Sequence, residues 1–240
     1  MSDIHVRRNL NAIEGGGIRS DEASRHFAQL SSEASRGLSR YFRYTIDTSI
    51  ALIGLLVLAP LIVMVVALLF AVQGRPIFVA HRRIGKNGVM FPCLKFRTMV
   101  ADAEDVLRRH LAANPSERAE WSASRKLKND PRITPFGALL RKSSIDEIPQ
   151  LLNVLLGHMS IVGPRPIVPS EAELYGPYFV DYIQVRPGLT GLWQISGRND
   201  VSYNQRIELD VRYVRERSLW RDIVIMFKTI PAVLRAHGSY

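Results

Sequence analysis

The sequence predicts a helix-dominated α+β protein attached to a membrane, and three observations support this prediction. Residues 48–72 contain no charged side chain and are long enough to reach across a bilayer. Two extended runs flank an Asn-Gly turn and predict a small β-hairpin. Much of the remaining chain has the apolar periodicity and capping residues of helices. We expect a mobile cytosolic tail (1–35), a membrane-inserted helix with basic flanks (36–75) and a further domain on the membrane surface (76–240).

The overall composition indicates an anionic partner. The chain has 240 residues, a net charge of +10 and a pI of about 10.1. Such a charge suits nucleic acid, acidic lipid headgroups or phosphorylated substrates. The one cysteine, Cys93, excludes an internal disulfide and a zinc site built from cysteines. No base lies near Cys93 in the sequence, so we expect a packing residue.

Residues 48–72 are expected to form a membrane helix, and its flanks do not decide whether the helix spans the bilayer or re-enters the same side. Over residues 48–72 a straight helix would measure roughly 37 Å, against about 30 Å of bilayer hydrocarbon. Pro60 lies near its middle, where proline removes a hydrogen bond and bends a helix. Both flanks are basic, so the positive-inside rule gives no reason to export either of them. A kinked spanning helix and a re-entrant helix bent at Pro60 both stay open.

A β-hairpin is expected after this segment. Residues 78–84 and 89–96 are extended runs, and Asn87-Gly88 between them favours a tight turn. Pro92 restricts the second run to an edge or bulged strand. A cluster of hydrogen-bond donors leaves the hairpin: Lys95, Arg97 and Thr98. This cluster suits either substrate phosphate or lipid headgroups.

Two helices with an irregular stretch between them are expected next. Residues 101–113 predict an amphipathic helix whose acidic first turn and basic last turn complement the helix dipole. Residues 116–130 are polar and basic, and we expect a partly mobile chain there. Thr134-Pro135 then begins a short helix that ends near Lys142, with threonine as the N-cap and proline in the first turn.

Asp146 and Glu147, an adjacent carboxylate pair in a basic setting, are the expected centre of the chemistry. Ser144 and Glu147 have the spacing of a capping box, which is the structural explanation of this glutamate. Pro149 is unfavourable in a second helical turn, so the helix proper should begin at Pro149. The pair then lies near a positive helix end, which favours ionised carboxylates. An ionised aspartate can be a nucleophile, and two neighbouring carboxylates can hold Mg²⁺.

Two further arginines are candidate phosphate ligands. In Gly163-Pro164-Arg165-Pro166 the prolines fix the backbone on both sides of Arg165, which favours an anion-binding role. Arg198 lies in a loop rich in hydrogen-bond donors, and we assign it to a nucleotide phosphate. The alternative for Arg198 is a solvated loop arginine.

The C-terminal third is expected to contain two helices. Residues 189–194 predict a short extended run, and residues 204–217 predict a charged helix. Asp210 and Tyr213 share a face of that helix. Residues 220–236 predict an apolar helix that suits either the bilayer interface or a protein core.

Four motifs occur together and in a specific order. They are Lys95-Phe96-Arg97-Thr98-Met99, the block from Leu140-Arg141 through Ser144-Ile145-Asp146-Glu147-Ile148-Pro149-Gln150-Leu151 to Asn153, Gly163-Pro164-Arg165-Pro166, and Arg186-Pro187-Gly188-Leu189-Thr190-Gly191-Leu192-Trp193-Gln194. Over roughly residues 43–240 the chain resembles the bacterial monotopic phosphoglycosyl transferases. Members of that family start exopolysaccharide and glycan assembly on a polyprenyl-phosphate carrier.

The resemblance implies a mechanism and a set of site residues. Asp146 would attack the sugar-proximal phosphate of a UDP-sugar, expel UMP and carry the phosphosugar until undecaprenyl phosphate accepts it. Mg²⁺ would assist, held by Asp146 and Glu147. The residues expected to bind substrate are all basic: Lys95, Arg97, Arg141, Arg165 and Arg198. Galactose or glucose is the expected sugar.

The resemblance also implies a location and partners. A re-entrant, proline-broken helix would hold the chain in the bacterial inner membrane, with the catalytic domain on the cytosolic side. The expected partners are the UDP-sugar, undecaprenyl phosphate and anionic lipid, with no nucleic acid; a homo-oligomer is left open. Two alternatives stay open. One is a membrane-bound, metal-dependent phosphodiesterase or phosphatase, and the other is a non-enzymatic basic adaptor.

Overall fold

Helices dominate the fold in the computed structural model, which describes residues 20–124, 127–197 and 201–234. The helices are α1 (Ser20–Gln73), α2 (Ala103–Ala113), α3 (Pro115–Ser124), α4 (Pro135–Lys142), α5 (Gln150–Leu155), α6 (Pro169–Tyr175), α7 (Phe179–Tyr182), α8 (Leu192–Ile195), α9 (Tyr203–Glu216) and α10 (Leu219–Leu234). The strands are β1 (Phe78–Ile84), β2 (Met90–Phe96), β3 (Ser160–Val162) and β4 (Gly188–Thr190). The predicted helix-dominated α+β class is confirmed.

Helix α1 contains the predicted membrane segment and starts earlier than expected, at Ser20. Within the described residues, Tyr41–Gln73 is the one helical stretch long and apolar enough to cross a membrane. The helix continues through Pro60, and its re-entrant course stays a prediction. By its contacts the chain divides between Thr45 and Ile46. The apolar part of α1 from Ile46 onward therefore belongs to the same compact unit as the chain that follows it.

Both ends of this apolar part are tied to that unit by polar contacts. Near its start, the Asp47 carboxylate accepts hydrogen bonds from Ser160 Oγ (2.7 Å), the Ile161 amide (2.9 Å) and Arg186 Nη2 (2.8 Å). At its end, Gln73 Nε2 donates to a hydroxyl oxygen of the helix-capping residue Thr134, at 2.9 Å. Between these ends, α1 contributes to two of the three hydrophobic clusters of the described residues.

The β-hairpin is confirmed. Strands β1 and β2 pair antiparallel, with Val79 opposite Lys95 and His81 opposite Cys93. The turn between them has Asn87 and Gly88 at φ values of 57° and 76°, a left-handed conformation that these residue types tolerate. Directly paired residues point to the same face of a sheet, so Lys95 and Cys93 lie on the face that also carries Arg83.

The predicted irregular stretch over residues 116–130 is wrong in its first half, where α3 forms. Asn114-Pro115 ends α2 but also begins α3, because proline is favoured in the first helical turn. Helix α2 itself is confirmed. Helix α4 is confirmed together with its cap: Thr134 Oγ1 accepts a hydrogen bond from the Gly137 amide at 2.9 Å.

Asn153 fixes helix α5 to strand β2. Its side chain is fully buried; Oδ1 accepts a hydrogen bond from the Leu94 amide (2.9 Å) and Nδ2 donates to the Pro92 carbonyl (2.7 Å). The amide thus takes the place of a third strand at the open edge of a two-stranded sheet. The start of α5, which directly follows the carboxylate pair, is held at a fixed place relative to Lys95 as a result.

The other two strands form a short parallel pair that the sequence did not predict. Ser160 lies opposite Gly188, and Val162 opposite Thr190. The predicted extended run over residues 189–194 is confirmed only at its start, since α8 begins at Leu192. A Cβ atom on Gly163 would lie 2.6 Å from the Arg186 carbonyl oxygen, so glycine is needed where the two segments meet.

The two predicted C-terminal helices are confirmed. Helix α9 begins with a capping box between Ser202 and Gln205. Helix α10 has features of both predicted alternatives, a core helix and a helix at the bilayer interface. Ile225 is buried in the core, whereas Trp220 and Phe227 are 73% and 69% exposed.

Candidate active site

The carboxylate pair lies in a single 3-10 turn, Ile145–Glu147, between α4 and α5. Ser144 enters this turn in the left-handed conformation, with φ at 57°, and makes no side-chain cap. The predicted capping box is therefore wrong, and the Glu147 side chain turns towards the hairpin instead. The helix proper begins at Gln150, directly after Pro149, as the sequence predicted.

Lys95 holds the two carboxylates together. Its Nζ atom lies 2.6 Å from Glu147 Oε1 and 3.6 Å from Asp146 Oδ2. Lysine Nζ is a compact cation with three donors, so one ammonium can serve two acidic side chains. The alternation of β2 points Lys95 to this side of the hairpin, and Asn153 sets the distance from α5. Two anionic groups thus converge on one position where positive charge is favoured.

Asp146 is a buried carboxyl, only 7% exposed. Burial raises its pKa, with Glu147 adding to the rise, while Lys95 and Arg141 act in the opposite direction. The prediction that its position favours the ionised form is wrong in sign, because the loss of hydration outweighs the nearby positive charges. A carboxylate that has lost much of its hydration, beside two cations, is a suitable nucleophile for a charged phosphorus centre.

A small cavity, partly open to solvent, lies beside Glu147 and Lys95. Its polar walls come from six residues: Arg83, Lys95, Glu147, Gln150, Arg165 and Gln194. Cationic groups outnumber the single carboxylate in the wall, so the cavity suits an anionic ligand. Cys93 also lines it but is 2% exposed, and burial raises the pKa of its thiol, as expected of a packing residue.

The bacterial sugar transferase family matches residues 38–236. The chain belongs to this family. The exopolysaccharide production protein ExoY of Rhizobium meliloti is 52% identical over 207 residues, which are 86% of this chain and 92% of the relative. An undecaprenyl-phosphate galactose phosphotransferase from Salmonella typhimurium is 48% identical over 204 residues, 84% of this chain but 42% of that protein.

A third relative of this sugar transferase is the UDP-glucose:undecaprenyl-phosphate glucose-1-phosphate transferase of Caulobacter vibrioides. It is 35% identical over 192 residues, covering 76% of this chain and 66% of the relative. The names of the second and third relatives describe transfer of a sugar phosphate to the same lipid carrier, with galactose in one case and glucose in the other. As a family member the chain is an enzyme, which excludes the non-enzymatic adaptor.

The structure brings together most of the predicted site residues of this transferase. Lys95 and Arg165 line the cavity with Glu147. Arg141 lies beside Asp146, oriented by a hydrogen bond from its Nε atom to Thr98 Oγ1 at 2.8 Å. Arg198 lies outside the described residues, so its assignment stays a prediction.

Arg97, another predicted phosphate ligand, occupies a different place. It is 5% exposed, and its Nη2 atom donates to the backbone carbonyls of Gln73 and Gly74 at the end of α1. A cation at this position complements the negative end of the helix dipole and satisfies carbonyls that the helix leaves open. Its phosphate contact stays a prediction.

Sequence reasoning missed several residues of the cavity. Arg83 was counted only as part of a basic flank, although its position in β1 puts it on the same face as Lys95. Strand alternation could therefore have identified it. Gln150 and Gln194 carried no signal of their own outside the motifs.

The residues present fit a bound Mg²⁺. Mg²⁺ sites in phosphate-handling enzymes use one or two carboxylates together with substrate phosphates, and Asp146 and Glu147 already share one cation, the Lys95 ammonium. Within the described residues no group of three or more acidic, histidine or cysteine side chains could form an all-protein metal cage. The two carboxylates are therefore suited to a metal ion whose remaining ligands come from the substrate.

Proposed function

We propose that this chain transfers a sugar-1-phosphate, of galactose or glucose, from a UDP-sugar to undecaprenyl phosphate and so initiates exopolysaccharide synthesis. The observation that carries the proposal is the convergence of Asp146 and Glu147 on Lys95 at a cationic cavity. The relatives support the substrates, because their names include both sugars, the lipid carrier and exopolysaccharide production.

In the first half-reaction a carboxylate oxygen of Asp146 forms a bond to the sugar-proximal phosphorus. The bond from that phosphorus to the bridging oxygen breaks, and UMP leaves with the electron pair. Lys95 and Arg141, which both act electrostatically on Asp146, offset the negative charge of the approaching phosphates. Phosphoryl transfer requires chiefly positioning and charge neutralisation, which this set of side chains can supply.

In the second half-reaction a phosphate oxygen of undecaprenyl phosphate attacks the same phosphorus. The bond to Asp146 breaks, the carboxylate is regenerated, and undecaprenyl-diphosphate-sugar is released. A covalent intermediate allows a soluble donor and a lipid acceptor to use one cavity in turn. Because burial raises the pKa of Asp146, its carboxylate is also a better nucleophile than an ordinary one once ionised.

Glu147 and Asp146 are the residues that would hold Mg²⁺, with phosphate oxygens of the donor as further ligands. When bound, the ion would neutralise charge on the diphosphate and on the departing UMP. Glu147 is better suited than Asp146 to coordinate the ion, since Asp146 must reach the phosphorus.

We further propose that α1 enters the inner membrane from the cytosolic side and returns to it. Asp47 and Gln73, near the two ends of the apolar part, both bond to the unit that contains the cavity. A straight span of 27 residues would instead separate its ends by roughly 40 Å. On the side away from the core α1 exposes large apolar residues, among them Leu56, Val57 and Val63. Lipid is the environment that suits them.

The decisive experiment compares wild type, Asp146→Asn and the exposed control Asp105→Asn in purified membranes. Labelled UDP-galactose or UDP-glucose is supplied with undecaprenyl phosphate, and the lipid product is identified by mass spectrometry. We expect Asp146→Asn to lose transfer and the control to retain it. Normal transfer by Asp146→Asn would refute the nucleophile. Release of free sugar phosphate in place of a lipid product would select the phosphodiesterase alternative.

A further inference from the structure

Two arginines stack on one buried tryptophan, and one of them, Arg165, lines the cavity. The Cζ atoms of Arg165 and Arg206 lie 5.4 and 4.5 Å from the centre of the Trp193 ring. Trp193 is 4% exposed and is held in α8, directly before the cavity residue Gln194. A guanidinium at this distance gains from the negative face of an indole. The tryptophan thus holds two like charges near each other.

Helix α9 presents the second of these arginines. Tyr203, Arg206 and Asp210 recur at i, i+3 and i+7 and therefore share one face. The Arg206 Cζ atom lies 5.3 Å from the centre of the Tyr203 ring. Aromatic rings thus contact the guanidinium on two neighbouring elements, which restricts its rotamer. Such restriction lowers the entropy cost of binding a ligand.

Hydrogen-bonding capacity remains available at this position. Among the described residues Arg206 Nε is buried without a hydrogen-bond partner, and no ion pair joins Arg165 or Arg206 to a described carboxylate. A buried donor of a charged group that lacks a partner is costly. An anion that contacts both guanidiniums would satisfy it.

Arg165 acts electrostatically on two other arginines, Arg83 and Arg206. Arg165 lowers the pKa of Arg83 and that of Arg206, in both cases after the larger effect of burial. Two of the three, Arg83 and Arg165, line the cavity beside Glu147. Repulsion among partly buried cations is relieved by an anionic ligand with more than one charge.

We propose that Arg206, stacked with Arg165 on Trp193, is a diphosphate-binding residue of this transferase. The inference rests on the proposed function and names a residue of the same site. Phosphate could reach these arginines from the donor's diphosphate or from the acceptor's single phosphate. The donor fits better, because its linked phosphates carry more than one negative charge, and the cations Lys95 and Arg165 line the same cavity.

The test measures binding apart from turnover. In the Asp146→Asn background, solubilised protein is titrated with UDP and, separately, with uridine, by calorimetry in the presence of Mg²⁺. Variants are Arg206→Gln and Arg206→Lys, with Arg212→Gln as the control on an exposed face of the same helix. We expect Arg206→Gln to weaken UDP binding about tenfold to a hundredfold, which corresponds to the loss of a charged hydrogen bond. Uridine binding should not change, and Arg206→Lys should retain part of the UDP affinity.

Kinetics with an otherwise wild-type chain then identify the source of the phosphate. A raised KM for the UDP-sugar with an unchanged KM for undecaprenyl phosphate supports the proposal. An unchanged UDP affinity in Arg206→Gln, an equal loss of uridine affinity, or a raised KM for the acceptor alone would each overturn it. Failure of the proposed function is measured separately: the wild-type chain would then release free sugar phosphate in place of a lipid product.

Discussion

Asp47 and Asp210 are both almost completely buried, at 5% and 1% exposure, yet the protein surrounds them in opposite ways. Asp47 accepts hydrogen bonds from a hydroxyl, a backbone amide and the Arg186 guanidinium. Asp210 accepts one from the Tyr175 hydroxyl, at 2.8 Å, and its Oδ1 atom has no partner among the described residues. Asp47 is in an ion pair, whereas Asp210 bonds to a neutral hydroxyl and is in no ion pair within the described residues.

The difference shows that a buried carboxyl group can either stabilise the fold or make the protein sensitive to pH. Asp47 connects the membrane helix to β3 and to the Arg186-Pro187-Gly188 turn, so its charge is part of the fold. Burial raises the pKa of Asp210 to about 7, against the lowering by Tyr175, Arg206 and Arg165. Its charge therefore changes near neutral pH, next to the arginines assigned to the donor.

The largest effect is expected from Asp47→Ala. The change removes the carboxylate that neutralises Arg186 inside the protein, together with three hydrogen bonds. Breaking a buried ion pair on one side typically costs about 3–5 kcal/mol. Denaturant unfolding in detergent, followed by tryptophan fluorescence, measures the loss.

Two controls test whether the loss of stability in Asp47→Ala comes from the broken ion pair or from general disruption of packing. Asp181→Ala removes the carboxylate partner of the exposed Arg215 and should cost far less. Asp47→Ala combined with Arg186→Met removes both charges, and this double variant should recover at least about 1 kcal/mol relative to Asp47→Ala. Equal stability of the single and double variants would contradict an ionic role of Asp47.

The second prediction concerns pH, and its sign follows from the raised pKa of Asp210. Between its ordinary value of 3.8 and about 7, the folded protein keeps a proton on Asp210 that the unfolded chain has released. Stability from this group is complete below the lower value and is lost as pH rises through the higher one. The slope can reach about 1.4 kcal/mol per pH unit.

Asp210→Asn should abolish that contribution. Unfolding free energies of wild type and variant, measured from pH 4.5 to pH 8, should converge or cross as pH rises, since only the wild type loses this stability. The comparison uses slopes, because other groups titrate equally in both proteins. Parallel curves would show that Asp210 does not hold a proton in the folded state.

Much of the fold could be predicted because its signals are local. The Asn87-Gly88 turn, the Thr134 cap and the apolar helix are each determined by neighbouring residues. Strand β3 could not be predicted, because three residues gain a parallel partner only through the distant β4. Helix α3 was missed for a different reason: a proline that ends one helix can begin the next.

The site was partly predictable because its motifs carry the reacting groups. Asp146, Glu147 and Lys95 do lie close together. The spacing of Ser144 and Glu147 predicted a helix cap, but Glu147 instead forms an ion pair with Lys95, which is distant in sequence. The position of Asp47 just before the apolar run gave no hint of Arg186. Asp210 and Tyr213 do lie on one helix as predicted.

Their partners, however, come from other segments. The Tyr213 hydroxyl donates to the Val162 carbonyl oxygen at 3.1 Å, and Asp210 bonds to Tyr175. A helix face identifies which residues point inward, but not which distant groups they meet. Contacts between remote segments are therefore what the sequence could not supply.

A smaller effect is expected from Tyr175→Phe, which removes the hydroxyl bonded to Asp210. The ionised carboxylate then lacks its hydrogen-bond donor, at a cost of about 1–3 kcal/mol above neutral pH. At pH 5, where Asp210 is protonated, the loss should be clearly smaller. The same unfolding series measures both, and the midpoint of the pH dependence should move upward. A loss independent of pH would indicate packing alone.

The smallest effect is expected from Ser160→Ala. Like Tyr175→Phe at Asp210, it removes one hydroxyl donor from a buried carboxylate, here Asp47, but the Ile161 amide and Arg186 still bond to Asp47. The remaining partners keep the charge satisfied, so the cost should be about 0.5–1 kcal/mol. Both tyrosine and serine variants are measured in one denaturant series at pH 8. If Ser160→Ala proved as costly as Tyr175→Phe, the number of partners would not distinguish the two carboxylates, and their contrast would have to arise from burial alone.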